Sequence, residues 1–151
     1  METLEPILRQ HQFFKDLPEK YFTIILGCTS HVVFKESEVI LKEGDAADKF
    51  YLIRSGKIAI YIDQPQQITI QTIQEGDILG WSWLAPPYRY RFSAKAVENT
   101  RALALDGKCL REKCEKNPEM GYELMKRLVG VFTERLEATR IRLLDIYNVS
   151  G

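Results

Sequence analysis

The chain has few of the residues that usually build catalytic centres. Its 151 residues include two histidines, His11 and His31, and the cysteines form no CxxC pair. A histidine-based metal site needs a cluster of ligands, so two distant histidines predict no metal ion. The motifs GxSxG, HExxH and GxxxxGK[ST] are also missing. We therefore predict no catalytic residues and a protein that is not an enzyme.

The sequence also lacks an excess of charge and a long apolar run. Lys and Arg number 21, as do Asp and Glu, so nothing global indicates a nucleic-acid surface. No apolar run approaches the roughly 20 residues that span a bilayer, and the N-terminus has no cleavable signal region. The odd cysteine count, Cys28, Cys109 and Cys114, predicts free thiols in a reducing compartment. We expect a cytoplasmic protein without membrane contact.

What the sequence does have is a change of hydrophobic period. Residues 1–29 show the spacing of N-terminal helices. Residues 30–106 consist of short β-branched or aromatic runs, punctuated by Gly, Asp, Pro and Ser about every ten residues, as in antiparallel rolls. Residues 107–147 return to helix, with Pro118 opening the last one. We predict one domain that is mainly β with flanking helices (α+β).

The last predicted helix carries an apolar seam. If unbroken it is about 45 Å long, which is more than a small roll needs for cover. Apolar residues recur along it at intervals of three and four, as in a helix–helix interface. We predict a homodimer through this helix, although the seam could instead only cover the roll. The seam residues are Met125, Leu128, Phe132, Leu136 and Leu143.

Three segments carry a family resemblance. EGDAADKFYLIRSGKIAIY (43–61), the EGDILG that begins at Glu75, and ALALDGK (102–108) resemble the signature of cyclic nucleotide-binding domains. The resemblance extends from about residue 10 to residue 147. It implies an eight-stranded antiparallel jelly roll (double-stranded β-helix) with N-terminal helices, a hinge and a C-terminal helix, as in catabolite-activator-type regulators and protein kinase A regulatory subunits. Only four residues follow Tyr147, so we expect no helix-turn-helix and no direct nucleic-acid binding.

The resemblance identifies residues 76–94, GDILGWSWLAPPYRYRFSA, as the phosphate-binding cassette of that family. The family's cassette has a Gly-Glu, a short helix and then an Arg on the next strand. Here WSWLA (81–85) would form the helix, which Pro86 and Pro87 would end. Trp81 stands at the family's Glu position and Tyr90 at its Arg position. The candidate ligand-binding residues are Leu79, Gly80, Trp81, Ser82, Trp83, Arg89, Tyr90, Arg91 and Phe92.

Several hypotheses about function remain open. Strict alternation puts Tyr90 on one face of the strand and Arg89 and Arg91 on the other, and a one-residue slip would exchange the faces. The leading hypothesis is a stand-alone regulatory or sensor module that binds cyclic AMP or cyclic GMP weakly or not at all in the ordinary way. Apart from a cyclic nucleotide, we predict no cofactor. The alternatives are a ligand-free protein-interaction scaffold, with Trp81 plugging the cavity, and a true cyclic nucleotide binder that uses Arg89 or Arg91 and backbone N–H groups. A small-molecule effector and an unidentified partner protein are the partners left open.

Overall fold

The computed structural model of the chain describes residues 4–149. Residues 1–3 of the predicted N-terminal helical zone lie outside this range. The helices are α1 (Leu4–Gln10), α2 (Phe22–Leu26), α3 (Gly107–Lys116) and α4 (Pro118–Val149). The strands are β1 (Thr29–Phe34), β2 (Val39–Leu41), β3 (Lys49–Ser55), β4 (Lys57–Ile62), β5 (Ile68–Gln74), β6 (Ile78–Leu79), β7 (Ser93–Ala96) and β8 (Thr100–Asp106).

The strands form two antiparallel sheets that close into a roll. Among residues 4–149 each sheet has four strands, in the orders β1-β8-β3-β6 and β2-β7-β4-β5. The predicted fold class, a mainly β jelly roll with flanking helices and a long C-terminal helix, is confirmed. No helix in this part of the chain is both long enough and apolar enough to cross a membrane.

The alternation of side chains along the strands separates two hydrophobic cores. On β3, Phe50 and Leu52 face the helices, whereas Tyr51 and Ile53 face the inside of the roll. The first core also takes its apolar residues from α1, α2, α3 and the first half of α4. The helices therefore cover the outer face of one sheet, and the roll interior is a separate core.

The two C-terminal helices begin at side-chain caps. The Asp106 carboxylate accepts a hydrogen bond from the Cys109 N–H (2.9 Å) at the start of α3. Asn117 Oδ1 accepts from the Met120 N–H (3.3 Å) at the start of α4, and Pro118 occupies the first helical position, where no N–H partner is needed. These caps explain why both helices begin where the sequence predicts.

The expectation of three free thiols is wrong. Cys28 and Cys109 form a disulfide with a Cα–Cα distance of 5.8 Å, and Cys114 is the free cysteine of the described residues. The pairing of β1 with β8 aligns Thr29 with Leu105, which brings the turn before β1 to the first turn of α3. The two cysteines are 81 positions apart, so their spacing gave no sign of the contact. The cysteine count therefore no longer supports a reducing compartment.

The strand that the alternation around Tyr90 predicts is shorter in the structure and does not include Tyr90. Strand β7 covers only Ser93–Ala96, and the predicted short helix is a single 3-10 turn, Trp81–Trp83. Tyr88 has a φ of 57°, in the left-handed region that interrupts an extended strand. Residues 88–90 instead pair with residues 44–47, since the Ala47 N–H donates to the Tyr88 carbonyl (2.7 Å) and the Gly44 N–H to the Tyr90 carbonyl (2.9 Å).

Candidate functional site

The candidate site is organised around a sharp turn at Gly80. Its φ of 85° lies in the left-handed region that favours glycine. A Cβ at this position would lie 3.1 Å from the Lys49 carbonyl oxygen and 3.3 Å from Cε1 of Tyr90. The turn ends β6 at the fully buried Leu79 and starts the 3-10 turn of Trp81, Ser82 and Trp83.

Tyr90 fills the roll interior next to this turn. The side chain is 7% exposed and belongs to the interior core, on the side that the alternation predicts. Its hydroxyl donates to the Lys49 carbonyl (2.7 Å) and accepts from the Lys49 N–H (3.1 Å). Burial raises the pKa of the phenol, so the group is neutral at ordinary pH. A neutral aromatic ring therefore occupies this end of the roll.

The two arginines beside Tyr90 lie on the outside. Arg89 is exposed and its Nη1 donates to the Gly44 carbonyl (2.9 Å). Arg91 is also exposed. A slip of one residue, which would turn these guanidinium groups inward, has not occurred.

The two tryptophans have different surroundings. Trp83 is 1% exposed and packs against Phe50, with ring centroids 5.7 Å apart, so it belongs to the core beneath the helices. Trp81 is half-buried and lies between Phe92 (5.6 Å) and Phe132 of α4 (5.2 Å). Trp81 thus joins the cassette to the long helix.

Arg135 of α4 completes this aromatic cluster. Its guanidinium carbon lies 4.4 Å from the centroid of the Trp81 ring, and its Nη2 donates to the Ile78 carbonyl (2.6 Å). Nη1 is buried and has no hydrogen-bond partner among the described residues. Burial lowers the pKa of this guanidinium to about 10, so the group stays charged at neutral pH.

An open cavity of about 470 Å³ lies beside the cluster, and we call it the α4 cleft. Its walls come from strands β4 and β5, from the cassette and from α4. Most of the lining side chains are apolar, and Trp81 is one of them. The cleft is lined by Ile60, Ile70, Gln71, Trp81, Phe92, Phe132, Arg135, Leu136 and Thr139.

The structure brings together only two of the predicted ligand-binding residues in this cleft, Trp81 and Phe92. Leu79, Trp83 and Tyr90 are core residues, and Arg89 and Arg91 are on the surface. Sequence reasoning missed Arg135 as a site residue. One signal was available, because Arg135 follows Leu124, Leu128 and Val131 at helical spacing and so continues the buried stripe of α4 with a charge.

The predicted seam of α4 needs a correction at one position. Leu128 is fully buried in the core between α4 and the roll, so it cannot contact a second molecule. Phe132 contacts Trp81 and is 37% exposed, whereas Met125, Leu136 and Leu143 are 44%, 71% and 52% exposed. The roll-covering interpretation therefore holds for the side of α4 that carries Leu128, whereas Met125, Leu136 and Leu143 lie on an exposed side.

A family profile described as cyclic nucleotide-binding domain matches residues 31–117. The cGMP-dependent protein kinase 2 of Homo sapiens is 30% identical over 84 residues, which cover 52% of this chain and 11% of the kinase. The CRP-like cAMP-activated global transcriptional regulator of Mycobacterium tuberculosis is 23% identical over 145 residues, covering 95% of this chain and 63% of the regulator. The chain thus spans less than two thirds of either protein.

Solved structures give the same match. A protein of Geobacter metallireducens described as cyclic nucleotide-binding superposes with a TM-score of 0.81 at 29% identity, covering 89% of this chain and 99% of that one. A cyclic nucleotide-binding domain of Methylobacillus flagellatus gives a TM-score of 0.77 at 21% identity, covering 93% and 80% of the two chains; at that identity the likeness concerns the fold.

Proposed function

The chain belongs to the cyclic nucleotide-binding domain family, and from that premise we propose that it is a non-enzymatic regulatory module with a diverged ligand site. Its cassette no longer provides the two side chains that hold a cyclic nucleotide in the family. The module responds instead to a different small molecule, bound between the roll and α4.

The observation that carries this proposal is the position of Tyr90. The resemblance assigns the family's phosphate-binding Arg to this position. The Tyr90 phenol found there is buried, and its hydroxyl both donates to the Lys49 carbonyl and accepts from the Lys49 N–H. A ring held in this way offers no charge to a phosphate. Trp81, at the family's Glu position, makes edge-to-face contacts with two aromatic rings and offers no carboxylate to a ribose.

The energetic consequence is large. A hydrogen bond to a charged group contributes roughly 1.5–3 kcal/mol. Losing both the Arg and the Glu contact therefore costs about 3–6 kcal/mol, or a factor on the order of 10² to 10⁴ in affinity. A micromolar site would become sub-millimolar or weaker, with a dissociation constant between about 0.1 mM and about 10 mM.

Two alternatives are less well supported. A cyclic nucleotide site built on Arg89 or Arg91 would need these side chains inside the roll, but both are exposed and Arg89 donates to Gly44. A ligand-free scaffold would have a filled roll, and Tyr90 does pack in the roll interior, but the α4 cleft beside the roll is open. The exposed arginines thus argue against a cyclic nucleotide, and the open cleft leaves space for a different ligand.

Calorimetric titration of the purified protein with cyclic AMP and with cyclic GMP tests the proposal. We expect no binding heat at micromolar ligand. The double variant Trp81→Glu, Tyr90→Arg should bind at least about tenfold more tightly than the unchanged protein, because it restores both charged partners. Micromolar binding by the unchanged protein would contradict the proposal, and its loss in Arg91→Ala would then identify the guanidinium responsible.

The proposal includes a homodimer formed by α4. Met125, Val129, Leu136 and Leu143 are exposed and follow one another at intervals of four, seven and seven residues, the spacing of a coiled-coil seam. This stripe lies apart from Met120, Leu124 and Leu128, which contact the roll. A second copy of the chain fits the stripe because the two seams would be identical and self-complementary.

A further inference from the structure

We propose that the α4 cleft binds a small amphipathic carboxylate, with an apolar or aromatic body against Trp81, Phe92 and Phe132 and a carboxylate group paired with Arg135. This inference rests on the proposed function, since it names the chemical class of the ligand at that site. It requires neither a phosphate nor a ribose.

The charge of Arg135 is the reason for an anionic ligand. The guanidinium makes one backbone hydrogen bond and one contact with an aromatic face, while its Nη1 lacks a partner. Asp77 and Glu134 stabilise this charge from a distance, but no ion pair within 4 Å joins Arg135 to a carboxylate of the described residues. A buried charge without an ion-pair partner is costly, and a planar carboxylate is the group that best matches a guanidinium.

The cavities on the two sides of Arg135 differ in charge. On one side is a cavity of about 300 Å³ lined by Asp77, Glu134 and Arg127. Arg127 is already paired with Glu123 (2.9 Å), and the two carboxylates repel an anion. On the other side is the α4 cleft, in which Arg135 is the charged residue. The other side chains that line the cleft are apolar, apart from the neutral polar Gln71 and Thr139. An anion with an apolar body therefore favours the α4 cleft.

The walls of the cleft determine the rest of the ligand. Ile70 and Leu136 are 39% and 71% exposed although they line a concavity, and an apolar ligand would cover them. The Trp81 indole covers one face of the guanidinium. A ligand whose body packs against this ring and whose carboxylate pairs with the N–H edge of the guanidinium changes the surroundings of the indole. Binding should therefore change the tryptophan fluorescence.

The test compares an acid with its neutral amide. Naphthylacetate, naphthylacetamide and octanoate are titrated into the full chain by calorimetry and by tryptophan fluorescence. We expect both carboxylates to bind at submillimolar concentration, and the acid at least about tenfold more tightly than the amide. Arg135→Gln should lose this preference. Arg140→Gln, which removes an exposed arginine of the same helix, should keep it.

Equal binding of acid and amide, or no binding of either carboxylate at millimolar concentration, would overturn the inference. The acid–amide comparison on the unchanged protein does not depend on the folding of a variant, and Arg135→Lys, which keeps the charge, should retain part of the preference. Cyclic AMP titrated into the same samples separates the two proposals. Micromolar binding of cyclic AMP would contradict the proposed function. If neither cyclic AMP nor any of the other ligands binds, only the inference of a carboxylate ligand is contradicted.

Discussion

At the scale of single residues, two buried polar side chains are held by backbone atoms. Tyr90 makes both of its hydroxyl hydrogen bonds to Lys49. His11 is 8% exposed; its Nδ1 accepts from the Phe13 N–H (3.1 Å) and its Nε2 lies 3.1 Å from the Ile53 carbonyl oxygen. Because Nδ1 accepts, the proton is on Nε2, which donates to Ile53. Each ring is thus fixed in its neutral form.

His11 should make the stability of the protein depend on pH. Burial lowers the pKa of the folded imidazole, against opposing effects of the Ile53 carbonyl, Asp77 and Glu75. In the unfolded chain histidine has a pKa of about 6.5. Below that pH the unfolded state therefore binds a proton that the folded state does not bind. The free energy of unfolding should therefore fall as the pH is lowered from about 7 to about 5. Urea denaturation across this range measures it.

The matched controls are His11→Asn and His31→Asn. His11→Asn removes the titrating group, so we expect a flatter dependence on pH. His31 is exposed, and its replacement should leave the dependence unchanged. Identical pH dependence in His11→Asn and the unchanged protein would contradict the assignment to His11.

At the scale of secondary-structure elements, α3 is joined to the roll by covalent and non-covalent contacts. The disulfide links Cys109 of α3 to Cys28 before β1, and the Asp106 N–H donates to the Cys28 carbonyl (2.8 Å). Arg111 of α3 donates to the Trp83 carbonyl and lies 4.1 Å from the centroid of the Tyr88 ring. Helix α3 is therefore attached at two places: to the segment just before β1 and to the cassette.

Reduction of the disulfide should destabilise the protein. The bond closes a loop with a sequence separation of 81, and the entropy of the unfolded chain sets an upper value of about 4.5 kcal/mol for a loop of this size. We expect dithiothreitol, or Cys28→Ser, to lower the free energy of unfolding by roughly 3–4 kcal/mol in urea denaturation. Cys114→Ser opens no loop and is the control. An unchanged unfolding midpoint on reduction would be the contrary result.

At the scale of the whole molecule, α4 has one apolar side packed on the roll and another that is exposed. Its first half buries Met120, Leu124 and Leu128 against the roll. From Leu136 to Tyr147 the helix is exposed, and the Arg142 guanidinium donates to the Ile70 carbonyl of β5. Leu136 both lines the α4 cleft and belongs to the exposed stripe. A second copy on this stripe would therefore sit at the mouth of the cleft, so ligand binding and association would be coupled.

Charge on the stripe should separate the two copies. We expect the double variant Val129→Glu, Leu143→Glu to sediment as a monomer with an unchanged circular dichroism spectrum, because like charges would face each other across the seam. Glu137→Lys changes a charge beside the stripe and should remain dimeric. A monomeric unchanged protein at high micromolar concentration in sedimentation equilibrium would refute the dimer.

The sequence by itself determined the fold class, because the period of apolar residues is a local property. It also determined the cassette's composition, since Trp81 and Tyr90 can be identified from motifs on either side. Only the tertiary structure decided which residues meet. The pairing of β1 with β8 created the disulfide, and the packing of α4 on the roll put Leu128 in the core and Arg135 against Trp81. These contacts join residues that are far apart in the sequence. Packing of the whole chain brings such residues together, and a local sequence pattern does not encode it.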